Sequence, residues 1–235
     1  MKGIEKAVQF GDVLNVAGQD YTGLNVFQKI GFWIVEKIIL WDQKRTFGPK
    51  SNYLDHHSQM YIGNNQVWSC EPPKPLIKPL EKCLNPYETI SVYRYQKKDF
   101  DSWDQAVIMG MVNTILNWDT PYSIGLLVDD LIASIAGYPA SPFRIFAPSR
   151  KDLVCSVGCA TIMHGWRHKL WDVKHFDLPR LFGKLNESMW SKDFIRKWPG
   201  YFPVDRTPPA IFANSNIFDN EYKFIGSFIN GEAVC

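Results

Sequence analysis

Two segments carry residues whose types fit a single reaction. Val154-Cys155-Ser156-Val157-Gly158-Cys159-Ala160 opens an apolar helical pattern on a cysteine. A hundred residues earlier, Asp55-His56-His57-Ser58-Gln59-Met60-Tyr61-Ile62-Gly63 opens an apolar strand on a histidine. A helix N-terminus gathers backbone N–H groups and a partial positive charge, which favour a thiolate and can hold an oxyanion. His57 would take the thiol proton, Cys155 would attack an amide or ester carbonyl, and protonated His57 would then supply the proton to the leaving group. The competing reading of Cys155 is a small buried hydrophobe, the commoner fate of a free cysteine. Cys159 lies one turn on along the same helix face, where a core role is favoured over that of a resolving thiol.

The elements that must position these groups are legible as patterns. Phe10 to Val16 reads as a strand after a Gly-Asp turn, and Val26 to Trp41 as an amphipathic core helix, with Phe27, Ile30, Ile34, Ile38 and Trp41 at helical spacing. Asp55 to Ile62 and Gln66 to Glu71 are strands joined by Gly63-Asn64-Asn65, a hairpin signal. Strand alternation then sets the faces: if His57 faces the site, Gln59 and Tyr61 share its side, and His56, Ser58, Met60 and Ile62 point away. The Pro-rich run Glu71 to Pro75 ends the second strand, and Glu88 to Arg94 begins a third. Helical patterns follow at Phe100 to Leu116, Ile124 to Ile135 and Asp152 to His164. Thr207-Pro208-Pro209 is a helix start, and Glu221 to Ile229 alternates as a strand.

With 235 residues, 46% of them hydrophobic, the chain can bury a full core, and the absence of a repeat or composition shift favours one α+β domain over residues 1–235. Lys+Arg 26 against Asp+Glu 24, interleaved, leaves no basic stripe, which argues against nucleic acid as a partner. Five cysteines in a chain of this size read as mostly reduced rather than as a disulfide framework. The polar opening Met1-Lys2-Gly3-Ile4-Glu5-Lys6 shows no secretory signal. Lys29, Glu36 and Lys37 interrupt the longest apolar run, so it reads as a core helix and not as a membrane span, with a membrane-surface helix as the minority reading. His164, His168 and His175 lack the Glu of a zinc-protease helix and a nearby cysteine pair, so no metal or other cofactor is expected. The tryptophans, nine in all, are assigned to packing.

In chain order, further pieces join these. Gly11-Asp12-Val13-Leu14, His57 to Gly63, Val67-Trp68-Ser69-Cys70-Glu71, Pro79-Leu80, Pro121-Tyr122-Ser123, Val154-Cys155-Ser156, and Thr207-Pro208 through Ser215 and Phe218 are spread over most of the chain. Together they resemble the circularly permuted branch of the NlpC/P60 papain-like superfamily, the YiiX-like amidases, in which the histidine precedes the cysteine. The resemblance implies a papain-like fold, an antiparallel sheet packed against a helix that carries the cysteine. It implies Cys155 as nucleophile, His57 as base and an acidic third member on the next strand. A gapless alignment puts Ser69 at that acidic position; Glu71, two residues on and on the same face, is the residue we expect to hold the imidazole, with Ser69 as the alternative. Val154 and Val157 stand where the family has Tyr and Glu, and Ser123 where it usually has Asp. Tyr122 either points its hydroxyl at the oxyanion or packs.

The resulting expectation is a thiol-dependent hydrolase of amide bonds, a cysteine peptidase or amidase acting on peptides such as those of bacterial cell walls through a thioacyl-enzyme. An acyltransferase or lipid-ester thiolase would use the same groups with a different pocket and acceptor. A non-catalytic module on the same fold, such as a phage-particle component, is the other class, motivated by Ser69 and Val157 at acidic family positions. The expected partner is a peptide, amide or acyl substrate. The expected location is the cytoplasm, or a virion if the chain belongs to a phage.

Overall fold

A computed structural model describes residues 3–18, 23, 25–47, 54–117, 122–123, 125, 128, 132, 154–167, 209–214 and 221–234. The architecture is α+β and is organised by an open antiparallel sheet. Its strands are β1 (Val13–Gly18), β2 (His57–Tyr61), β3 (Gln66–Glu71), β4 (Lys74–Pro79), β5 (Glu88–Tyr95), β6 (Tyr222–Ile229) and β7 (Glu232–Val234). Their spatial order is β4-β3-β2-β1-β5-β6-β7. The helices are α1 (Gly3–Ala7), α2 (Val26–Phe47), α3 (Ser102–Asn117), α4 (Cys155–Arg167) and α5 (Ala210–Ala213), with a 3-10 turn at Leu80–Cys83.

The β2–β3 hairpin forms where Asn64 and Asn65 take φ of 51° and 54°, the left-handed pair that a type I′ turn requires and that Asn tolerates better than most residues. Gln66 N–H closes the turn on Gly63 O at 2.9 Å. The sheet then separates two cores by strand parity. Met60, Ile62, Trp68 and Cys70 face α3 and α4, packing with Ile108, Met111, Val157, Ala160 and Ile162. Leu14, Val16, Tyr61 and Val67 face the other way, toward Ile4, Leu80 and Phe228.

Two devices fix the cysteine helix. At the start of α3, Asp104 N–H donates to Asp101 Oδ1 (2.8 Å) and Asp101 N–H to Asp104 Oδ2 (3.2 Å), a reciprocal cap. The same Asp104 accepts from Trp166 Nε1 at 2.9 Å and so ties the end of α4 to the start of α3. Close approach to the sheet comes from Gly158, whose missing side chain leaves room for the Trp68 ring.

Several elements differ from expectation. The Pro-rich run does end β3 at Glu71, but the chain resumes at once as β4. Proline is excluded from central strands because it lacks an N–H, yet β4 is the sheet edge, where Pro75 and Pro79 cost little. α2 is a helix of 22 residues, but among its described side chains Val26, Ile30, Trp33, Ile34 and Trp41 are exposed rather than set in the core, and Gln43, near the C-terminal end, is fully buried. Thr207, Pro208, Ser215, Phe218 and most of the helical segment expected at Ile124 to Ile135 lie outside the described residues. Among the described residues no helix is long and apolar enough to cross a membrane.

Candidate active site

β2 begins on His57, whose backbone pairs with Val16 of β1. On β3, Ser69 pairs with Gln59, and Glu71 lies two residues further along the same face. This parity gathers three side chains: His57 Nε2 lies 3.0 Å from Ser69 Oγ, Ser69 Oγ donates to Glu71 Oε2 at 3.1 Å, and Glu71 Oε2 is 4.0 Å from His57 Nε2. Lys78 of β4 closes the row with Nζ 2.7 Å from the same Glu71 oxygen. The direction of these bonds selects a tautomer. With its own proton directed to the carboxylate, Ser69 can only accept from the ring, so Nε2 carries the hydrogen and Nδ1 carries the lone pair. Burial first, then the charges of Lys78 and His56, hold the His57 pKa down to about 3, so the ring is neutral at physiological pH.

The direct holder of the imidazole is therefore Ser69. Glu71, which we expected in that role, acts through Ser69 and shares its charge with Lys78. Lys78 itself was missed because it belongs to β4, a strand hidden behind prolines.

Cys155 is the first residue of α4. Its sulfur meets the backbone N–H groups of Ser58, Ser156 and its own residue, together with the Ser156 hydroxyl, all of which favour the thiolate. The Ser58 contact has a topological cause. Tyr61 N–H points to β1, bonding Asp12 O at 2.9 Å, and Ile62 N–H points to the β3 side, bonding Gln66 O at 3.0 Å. Alternation turns Ser58 N–H toward β3 as well. Pairing of β2 with β3 runs only from Gln59–Ser69 to Tyr61–Val67, so no strand partner meets Ser58 on that side. The sulfur stands in that gap. Cys155 is nevertheless only 3% exposed, and burial outweighs the donors, pushing the thiol pKa above the ordinary value. This corrects the expectation of a thiolate at rest.

The structure brings together His57, Ser69 and Glu71, and separately Cys155, Tyr122 and Cys70. Tyr122 is half-buried beside both thiols; desolvation raises its pKa, the charges of the thiols would raise it further, and its N–H bonds Pro73 O at the β3–β4 turn, 2.9 Å. The two groups border the start of β2 on opposite faces of the sheet, so the face expected to point away from the site, that of Ser58, Met60 and Ile62, is the one that α4 covers. His57 lies on the face of Val16 and Ser69, while α4 packs on the face of Met60 and Trp68. Among the described residues no hydrogen bond joins either histidine to the Cys155 thiol. His56 is half-buried, its buried Nδ1 has no hydrogen-bond partner among the described residues, and desolvation pushes its pKa down to about 4. Cys159 is fully buried in the core, with its pKa raised by burial. Among the described residues no cluster of His, Cys, Asp and Glu could hold a metal ion; the side chains of His164, His168 and His175 lie outside them.

Comparison with protein-family models, with curated proteins and with solved structures gives no match to this chain.

Proposed function

We propose that this chain is a thiol-dependent hydrolase of amide bonds, of papain-like type, with Cys155 as nucleophile and His57 as base. The observation that carries the reading is the His57–Ser69–Glu71 row. It leaves the proton-accepting lone pair on Nδ1 of the residue whose neighbour, Ser58, offers its N–H to the Cys155 sulfur.

A buried thiol beside a neutral imidazole implies a proton transfer at the moment of attack and not a standing ion pair. In this reaction the Cys155 proton passes to His57 Nδ1, which requires the ring, held across the sheet from α4, to approach the sulfur, and the sulfur bonds to the substrate carbonyl carbon. The N–H groups at the start of α4 hold the oxyanion, and Tyr122 borders that site. Collapse breaks the C–N bond, the amine leaves with the proton from His57, and water then releases the acid from the thioester. Throughout, Ser69 keeps the ring orientation and Glu71 stabilises the imidazolium behind it.

The test is hydrolysis of peptide amides and of activated esters by the wild type and by Cys155→Ala and Cys159→Ala. Loss confined to Cys155→Ala supports the proposal, and equal activity in all three contradicts it. Burial of the thiol and neutralisation of Glu71 by Lys78 favour the second reading, a non-catalytic interaction module on the same fold, which predicts no activity in any of them.

A further inference from the structure

One buried polar cluster is not used by the mechanism above. Asn15, at the centre of β1 and fully buried, spends its whole amide: Nδ2 donates to Asp55 Oδ2 (2.9 Å) and to Pro209 O (2.7 Å), and Oδ1 accepts from Ser58 Oγ (2.8 Å). Gln43 of α2 donates to Asp55 O at 2.7 Å and accepts from Ala210 N–H at 2.6 Å. A carboxamide inside a sheet otherwise lined by Val13, Leu14 and Val16 is costly unless every atom is satisfied, and here every atom is.

The cluster converges on Ser58, the residue whose N–H faces the Cys155 sulfur. Ser58 is also where β2 loses its β3 partner, so the strand is held there from the β1 side alone, through the Asn15–Ser58 pair. We propose that Asn15 is a positioning residue for the thiol site: through the Ser58 hydroxyl it fixes the Ser58 N–H against the Cys155 sulfur, with Asp55, Gln43 and Pro209 fixing Asn15 in turn. The inference builds on the assignment of Cys155 as the reactive group. It concerns the sulfur's hydrogen bond, which exists whether or not a substrate is cleaved.

The experiment reads that bond directly. In 15N-labelled full-length protein, replacing Cys155→Ala moves the amide proton resonance of residue 58. The same replacement in an Asn15→Ala background is expected to move it by less than half as much, and likewise in a Ser58→Ala background, where the residue 58 amide is retained. Ser58→Thr, which keeps the hydroxyl, restores the full response. A purely stabilising role for Asn15 lowers the unfolding midpoint but leaves this response intact. An undiminished response in folded Asn15→Ala or Ser58→Ala protein overturns the proposal. Where Asn15→Ala does not fold, Ser58→Ala alone decides. Hydrolysis is assayed on the same samples. A protein that shows the coupling but cleaves nothing contradicts the hydrolase reading and leaves the positioning role standing.

Discussion

Ser69 accepts the imidazole N–H and Glu71 stands behind it, so the two side chains are not equivalent in what their loss costs. Ser69→Ala leaves His57 Nε2 without its acceptor in a largely buried site. We expect it to lower hydrolysis by about 10- to 100-fold and stability by roughly 1–3 kcal/mol. Glu71→Gln keeps an acceptor for the Ser69 hydroxyl and a dipole for the ring, so its effect on rate should be the smaller of the two. Steady-state assays on both variants check this, and a larger loss in Glu71→Gln would return the primary role to the carboxylate. The thiol has its own pH signature. Because burial raises the Cys155 pKa, alkylation by iodoacetamide should keep accelerating with pH above neutrality. A plateau already reached below pH 7 would show a resting thiolate. At this scale the sequence made the grouping of His57, Ser69 and Glu71 legible, since residues two apart on paired strands share a face. It could not show how deeply Cys155 is buried, because that depends on packing from α3, α4 and Tyr122, which are distant in the chain.

Among the elements, α4 is the one whose placement decides the site, and two glycines separate packing from propensity. A methyl group at Gly158 would run into the Trp68 ring, whereas one at Gly110, exposed in α3, meets nothing within 4 Å. Gly158→Ala should therefore destabilise by roughly 1–3 kcal/mol despite alanine's better helix propensity. Gly110→Ala should stabilise by about 0.4–1 kcal/mol. Denaturant unfolding of the two variants measures both signs, and stabilisation by Gly158→Ala would mean that α4 does not press on the sheet at that point. Strands β1, β2, β3, β5 and β6 and helices α3 and α4 were readable from alternation and helical spacing, with the Asn64-Asn65 turn fixing the hairpin. β4 was not, because Pro75 and Pro79 argue against a strand until its edge position is known. The length of α2 was readable, but its exposure was not. Its apolar residues run around much of the helix, and periodicity alone does not say which of them find partners.

For the molecule as a whole, burial of ionisable groups makes stability depend on pH with a definite sign. His56 and His57 have folded pKa values of about 4 and about 3 against an ordinary 6.5, so the unfolded chain takes up these protons first. Their contribution is intact above pH 6.5 and is lost as pH falls toward 4 and then 3. Asp55, raised to about 6 by burial, works the other way: its contribution is present below its ordinary 3.8 and is lost as pH rises through 6. Asp12, also raised by burial against the pull of Arg94, has the same sign. The histidine displacements are the larger, so acidification from pH 7 to 4.5 should cost on the order of a few kcal/mol. Urea unfolding at the two pH values checks this, and an equal or higher midpoint at pH 4.5 would contradict it. The central claim, that Cys155 attacks with His57 as its base, is tested most directly by trapping the acyl-enzyme. The protein is incubated with p-nitrophenyl acetate and the acetyl group is located by peptide mass spectrometry in the wild type, His57→Ala and His56→Ala. The account predicts acetylation at Cys155, slowed at least about 100-fold by His57→Ala and little changed by His56→Ala. Acetylation elsewhere with Cys155 unmodified, or an unchanged rate at Cys155 in folded His57→Ala protein, would contradict it.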